Sequence, residues 1–137
     1  MHVVEQMFAS HPDARGHADR ALLRCIQSCH TCAQTCISCA DACLAEDGVA
    51  ELRQCIRLNL DCADLCDAAA SIVARRTAPN DTLIVETLNA CALACRICAD
   101  ECERHAEHME HCRICADACN DCEEACSAAI RAIRSLH

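Results

Sequence analysis

At 137 residues the chain suits one domain. Its 18 cysteines, 1% aromatic content, two glycines and two prolines exclude an ordinary leucine- and aromatic-filled core and favour long unbroken elements lined with cysteine. A formal charge of −9 excludes nucleic acid and an anionic membrane surface as partners, since neither attracts an acidic protein.

The first residues, MHVVEQMFASHPDARGHADR, lack a basic stretch followed by an apolar one and do not read as an export signal. No run approaches the roughly 18 consecutive apolar residues that a membrane span needs. A cytoplasmic location is therefore expected, where thiols stay reduced and a cysteine pattern points to metal binding or catalysis before disulfides. Residues 1–15 read as an N-terminal segment. Its Val3, Val4, Met7 and Phe8 share one face of a short helix that packs on the bundle or on a neighbouring subunit.

Residues 16–137 read as four long helices. The first runs from about Gly16 to Leu44 and carries Cys25, Cys29, Cys32, Cys36, Cys39 and Cys43 at gaps of 4, 3, 4, 3 and 4. Such gaps keep side chains on one helix face. Cys25, Cys32 and Cys39 take heptad position d, and Cys29, Cys36 and Cys43 take a; the register reaches back to Leu22 and Ala18. AEDGVAEL breaks the pattern, with Asp47 as the N-cap of the second helix. That helix carries Cys55, Cys62 and Cys66, with Asn59 in line at an a position. It continues through Ala69 and Val73 to Arg75 and Arg76, cations suited to a helix C-terminus. RRTAPND is a loop in which Pro79 stops one helix and Asn80 or Asp81 caps the next. The third helix holds Ile84, Leu88, Cys91, Cys95, Cys98 and Cys102. After RHAEHMEH, the fourth holds Cys112, Cys115, Cys119, Cys122 and Cys126, with Ala129 and Ile133 in register.

An internal repeat supports this division. CISCADAC (36–43), CRICADEC (95–102) and CRICADAC (112–119) share the form C-x-x-C-A-D-x-C, and CADLC (62–66) is a fragment of it. Its alanine falls at e, where a small side chain lets helices approach. Asp41, Asp64, Asp100 and Asp117 fall at f, toward water. The expected fold is all-α, an antiparallel four-helix bundle with a cysteine-lined core plus a short N-terminal helix. The ladder from Cys25 to Cys43 runs about 27 Å along its axis.

A seam of cysteines this long is not filler, because side chains so much smaller than leucine leave voids that cost stability. Disulfides within one helix would strain the backbone, and the reducing cytosol opposes them between helices. An almost purely sulfur donor set selects soft ions. Zinc favours closed sets of four thiolates that leave a net charge of about −2 at each ion, which is costly when stacked in a dry core. Cys25-x3-Cys29-x2-Cys32 and Cys91-x3-Cys95-x2-Cys98 match an iron–sulfur spacing of radical S-adenosylmethionine enzymes, but any such ladder generates it, and the chain is too short and too helical for their barrel. Cu(I) takes two or three sulfurs, and thiolates bridge neighbouring ions. Roughly one Cu(I) per cysteine leaves the core nearly neutral, each ion replacing one proton.

With these features the chain resembles the cytosolic copper storage proteins, whose four-helix bundles are lined with cysteine and fill with Cu(I). The resemblance covers about Gly16 to Leu136 and rests on the C-x-x-C-A-D-x-C units and the four cysteine stripes. It implies a homotetramer and a storage role rather than an enzyme.

Antiparallel order places RHAEHMEH and the first interhelical connection at one end. Leu22, Val73, Ile84, Leu88 and Ile133 stop the other as an apolar plug. His105 and Met109 continue the d and a positions after Cys102, and His108 lies four residues before Cys112. Imidazole and thioether are weaker Cu(I) ligands than thiolate and suit an entry gate of His105, His108 and Met109; the resembled family also has His and Met ligands near its open end. His111 reads as solvated loop, His30 as surface. Asn59 either coordinates metal or fixes helix register by hydrogen bonding. A general soft-metal buffer for Zn(II), Cd(II) or Hg(II) is the alternative function, and a C-x-x-C redox enzyme a third class. A copper chaperone or a small-molecule thiol is the exchange partner.

Overall fold

The computed structural model describes residues 3–13 and 18–136. Helix α1 is Val3–Ser10, α2 Ala18–Leu44, α3 Arg53–Ala74, α4 Asp81–Glu103 and α5 Glu110–Arg134. The described residues contain no strand. Gly16, where the heptads start the first long helix, lies outside the described residues, as does His137 at the other end of that unit.

The four long helices form a square. α2 and α4 each pack against both α3 and α5, and α1 lies on α2. Burial explains the square. All 18 cysteines are buried, and so are Ala33, Ala40, Ala63, Ala99 and Ala116. The alanines lie on the seams between neighbouring helices, as the repeat implies, and the four repeat aspartates are exposed. Helix α4 is apolar and long enough to cross a membrane by length and composition alone. Here it packs between α3 and α5 and buries Ile84, Val85, Leu88, Ala92, Ala99 and its four cysteines in the shared core.

The helix ends follow local chemistry. Asn80 caps α4, its Oδ1 accepting from the Leu83 N–H at 3.0 Å. Arg76 Nε donates to the Val73 carbonyl at 3.0 Å near the end of α3. Asp47 does not cap the second long helix. Gly48 opens a 3-10 turn over Val49–Leu52, with Glu51 N–H bonded to the Gly48 carbonyl at 3.0 Å, and α3 follows from Leu52 without a side-chain cap. The turn buries Leu52, which anchors it to the core. In α1 the four apolar residues divide: Phe8 is buried and Val4 is packed against the core, while Val3 and Met7 are exposed.

Candidate metal centre

The sulfurs converge on the bundle axis. Cys29 on α2 and Cys91 on α4 lie on opposite helices, yet their Sγ atoms are 4.0 Å apart. The other diagonal is spanned by Cys66 on α3 and Cys122 on α5 at 3.9 Å. Cysteine is short, so opposite stripes meet only because the small seam alanines draw the helices together.

From the stopped end upward, Cys25 lies 3.9 Å from Cys126 and Cys122 lies 3.7 Å from Cys29. Next come Cys91 to Cys66 at 3.7 Å, and Cys95 to Cys62 and Cys66 at 3.8 Å each. Cys119 lies 3.7 Å from both Cys32 and Cys36, and Cys115 is 3.7 Å from Cys36. At the other end Cys39 and Cys112 are 3.9 Å apart, as are Cys55 and Cys102.

These contacts form sets of four sulfurs, all within 4.8 Å of one another: Cys29, Cys66, Cys91 and Cys122; Cys32, Cys66, Cys95 and Cys122; Cys32, Cys36, Cys62 and Cys119; Cys36, Cys98, Cys115 and Cys119. Consecutive sets share members. Cys66 and Cys122 belong to the first two, Cys32 to the second and third, and Cys36 and Cys119 to the last two. A separate closed site for each ion would not share its ligands. Shared sulfurs suit an ion whose low coordination number lets one thiolate bridge two metals.

Asn59 is the one buried polar residue among those described. Its Oδ1 accepts from Cys115 at 2.9 Å and Cys98 at 3.2 Å, while its Nδ2 donates to the Cys55 carbonyl at 2.9 Å. Both amide atoms are thus satisfied, and three cysteine-bearing helices meet at this side chain.

The protonation of the core follows from burial and from bonds between sulfurs. Burial first, and then the Cys55 charge, pushes Cys43 up to about 11 and Cys112 up to about 12. Deeper in the network, bonding with Cys119 pulls Cys62 down and bonding with Cys122 pushes Cys29 up. A thiol that donates to a neighbouring sulfur holds its proton, and the accepting sulfur is stabilised as thiolate. Cys25, bonded with Cys126 and then Cys29, is lowered to about 5. The network keeps most thiols neutral while leaving some poised for exchange.

The two ends differ. Leu22, Val73 and Leu88 are fully buried, and Ile84 and Ile133 nearly so, closing the end nearest Cys25 and Cys126. The other end carries the polar groups. His105 is half-buried, its Nε2 on Glu101 Oε2 at 3.0 Å, and Met109 is packed against the core. His108 is exposed, with its backbone N–H on the His105 carbonyl at 3.2 Å. His30 is exposed on α2.

His111 lies elsewhere than the pattern suggests. It stands in the first turn of α5, half-buried, with Nδ1 3.4 Å from Cys39 Sγ and 3.6 Å from Cys112 Sγ. With Cys39, Cys43 and Cys112 it completes a mixed set within the same 4.8 Å limit. The heptad gives no sign of this, because His111 is adjacent to Cys112 rather than three or four residues away. Its neighbours on α2 come from the tertiary fold.

A model of the copper storage protein family matches residues 18–131. The chain is 46% identical to the copper storage protein of Streptomyces lividans loaded with 10 copper equivalents, over 95% of this chain and 99% of that one, at a TM-score of 0.92. Against a structure of copper loading, with five coppers, to a cytosolic copper storage protein from Streptomyces lividans, identity is 48% over 83% of this chain and 95% of that one, at a TM-score of 0.82. An uncharacterized cysteine-rich protein of Bacillus subtilis (strain 168), YhjQ, is 38% identical over 102 residues, 74% of this chain and 89% of the relative.

Proposed function

The chain belongs to the copper storage protein family, and from that premise we propose that it stores Cu(I) in the cytosol as many ions held by its core thiolates. The observation that carries this reading is the sharing of Cys66, Cys122, Cys32, Cys36 and Cys119 between successive four-sulfur sets. Each arriving Cu(I) forms bonds to sulfur and releases a thiol proton, so the interior stays close to neutral as it fills. A Zn(II), Cd(II) or Hg(II) buffer is the lesser reading, since divalent ions each held by four thiolates accumulate negative charge in a dry core. The role is binding and release rather than catalysis.

All 18 cysteines are proposed as ligands, with Asn59 Oδ1 facing Cys98 and Cys115 as an oxygen donor within the ladder. Copper enters at the end of the bundle bearing His105, His108 and Met109. The apolar plug at the opposite end and the half-buried positions of His105 and Met109 support this direction. Residues 1–137 form one domain, and the chain assembles as a homotetramer. Grooves lined by Leu58, Leu65, Leu93 and Ile97, and by Leu44, Val49, Ile56 and Leu60, offer apolar surface for that assembly. A copper chaperone or a small-molecule thiol removes the ions.

Anaerobic titration of the reduced, metal-free protein with Cu(I) against a chromophoric chelator tests the reading. It expects about one tightly held ion per cysteine. Saturation at two or three ions overturns it. Followed in time, the same titration of the His105→Ala, Met109→Ala double variant shows slower uptake if that end is the gate; an unchanged rate removes the gate.

A further inference from the structure

The imidazole of His111 is held between two kinds of group. On one side Nδ1 faces the sulfurs of Cys39 and Cys112 at 3.4 and 3.6 Å. On the other, Nε2 lies 2.9 Å from Oε2 of Glu46. Glu46 belongs to the turn that follows α2, and His111 to the first turn of α5, so the contact joins two elements across the polar end of the bundle.

A neutral imidazole carries one N–H, and its position decides which nitrogen has a lone pair to offer. A carboxylate only accepts. Against Glu46, Nε2 must carry the proton, because a lone pair there would face carboxylate oxygen. Nδ1 is then the acceptor, and the Cys39 and Cys112 thiols donate toward it. The opposite tautomer aims an N–H at the two thiols and leaves the carboxylate unanswered. A ring so fixed presents its lone pair at the outermost sulfurs, where an incoming soft cation first meets thiols.

We propose that Glu46 is a positioning residue for copper entry: by accepting a hydrogen bond from the Nε2–H of His111 it fixes the tautomer and ring orientation that make Nδ1 a ligand beside Cys39 and Cys112. This rests on the storage reading above and goes beyond it in assigning a role to a carboxylate that itself touches no sulfur. The pattern is the general one in which a carboxylate behind a histidine sets the nitrogen that meets the metal. His105 shows the contrast. Its Nε2 also meets a carboxylate, Glu101, but the pair lies at one helix end, Glu101 also accepts from Arg104 at 3.4 Å, and no hydrogen bond from the ring to a cysteine is present among the described residues.

The tautomer can be read without copper. In reduced, metal-free protein with 15N-labelled histidine, long-range 1H–15N correlation is expected to report His111 as the Nε2–H form. Glu46→Ala abolishes that preference, and Glu46→Gln, whose amide oxygen still accepts, restores it. With Cu(I) delivered from a chelator, the rate of uptake of the first equivalent falls roughly tenfold in Glu46→Ala, recovers in Glu46→Gln, and falls no further when Glu46→Ala is added to His111→Ala. The thermal midpoint of metal-free Glu46→Ala stays native, which separates positioning from folding. An Nδ1–H form in the native chain overturns the proposal. So does native-like uptake by Glu46→Ala, or an equal loss in the His111→Ala background. Failure of the storage reading is distinct: it appears as low capacity of the native chain, which the tautomer measurement does not involve.

Discussion

Cys43 and Cys112 stand at the polar end of the ladder with their protons held by burial. Their folded values of about 11 and about 12 lie above the ordinary thiol value of 9.0. The folded chain therefore keeps protons that the unfolded chain has already lost. This contribution to stability is complete below pH 9 and disappears as the pH climbs through 11 to 12. Urea midpoints of the reduced, metal-free protein are expected to fall between pH 9 and 11, and a flat profile over that range contradicts the assignment. The convergence of the cysteines in one core was legible in the sequence because a helix face is periodic and all 18 thiols obey the period. His111 was not, because its sulfur contact to Cys39 and its carboxylate contact to Glu46 span 72 and 65 residues. Asn59 was legible as a core position, but not its hydrogen bonds, which need the spacing between helices.

The helices owe their boundaries to a few local groups. Where the local chemistry is strong the boundary is legible: Asn80 caps α4 through its side-chain oxygen. Pro79 does not stop α3, which ends at Ala74 with Arg75 extended as its C-cap and Arg76 beyond it. Asn80→Ala is expected to destabilise the metal-free protein by about 1 kcal/mol, the usual cost of losing an N-cap. Equilibrium urea unfolding measures this, and no change would mean that packing alone fixes the helix start. Asp47 has the right residue type for a cap but the wrong place. Gly48 starts a 3-10 turn first, and buried Leu52 then sets where α3 begins. Short connections are governed by how an anchor residue reaches the core, and one-dimensional periodicity does not carry that information. In α1 the periodic face was legible, but which half of it meets α2 was not.

For the whole molecule the central constraint is charge. The chain carries −9 in formal charge, and the described residues include surface pairs such as Arg57–Asp61 at 3.0 Å and Arg96–Glu123 at 3.1 Å. Such exposed pairs contribute little to stability. The interior tolerates filling only if each cation displaces a proton. Loading in weakly buffered solution is therefore expected to release a proton at each thiol still protonated near pH 7 and none at those held as thiolate, such as Cys25, measured by pH-stat. No release at all would mean that the core is wholly thiolate before copper arrives. The overall architecture was legible, since four stripes with short connections leave few arrangements other than a bundle. The apolar groove between α3 and α4 was not, since which leucines the bundle leaves uncovered depends on how its helices turn against one another.

The plug of Leu22, Val73, Ile84, Leu88 and Ile133 makes the sulfur column a shaft with a floor. With copper passing only through the polar end, as proposed, such a shaft would work as a stack: the ion deposited last would be the first withdrawn, and those beside Cys25 and Cys126 would turn over only after the load above them had gone. Two populations, a quickly traded upper fraction and a slow reserve beneath it, would then arise even if every sulfur bound copper equally well.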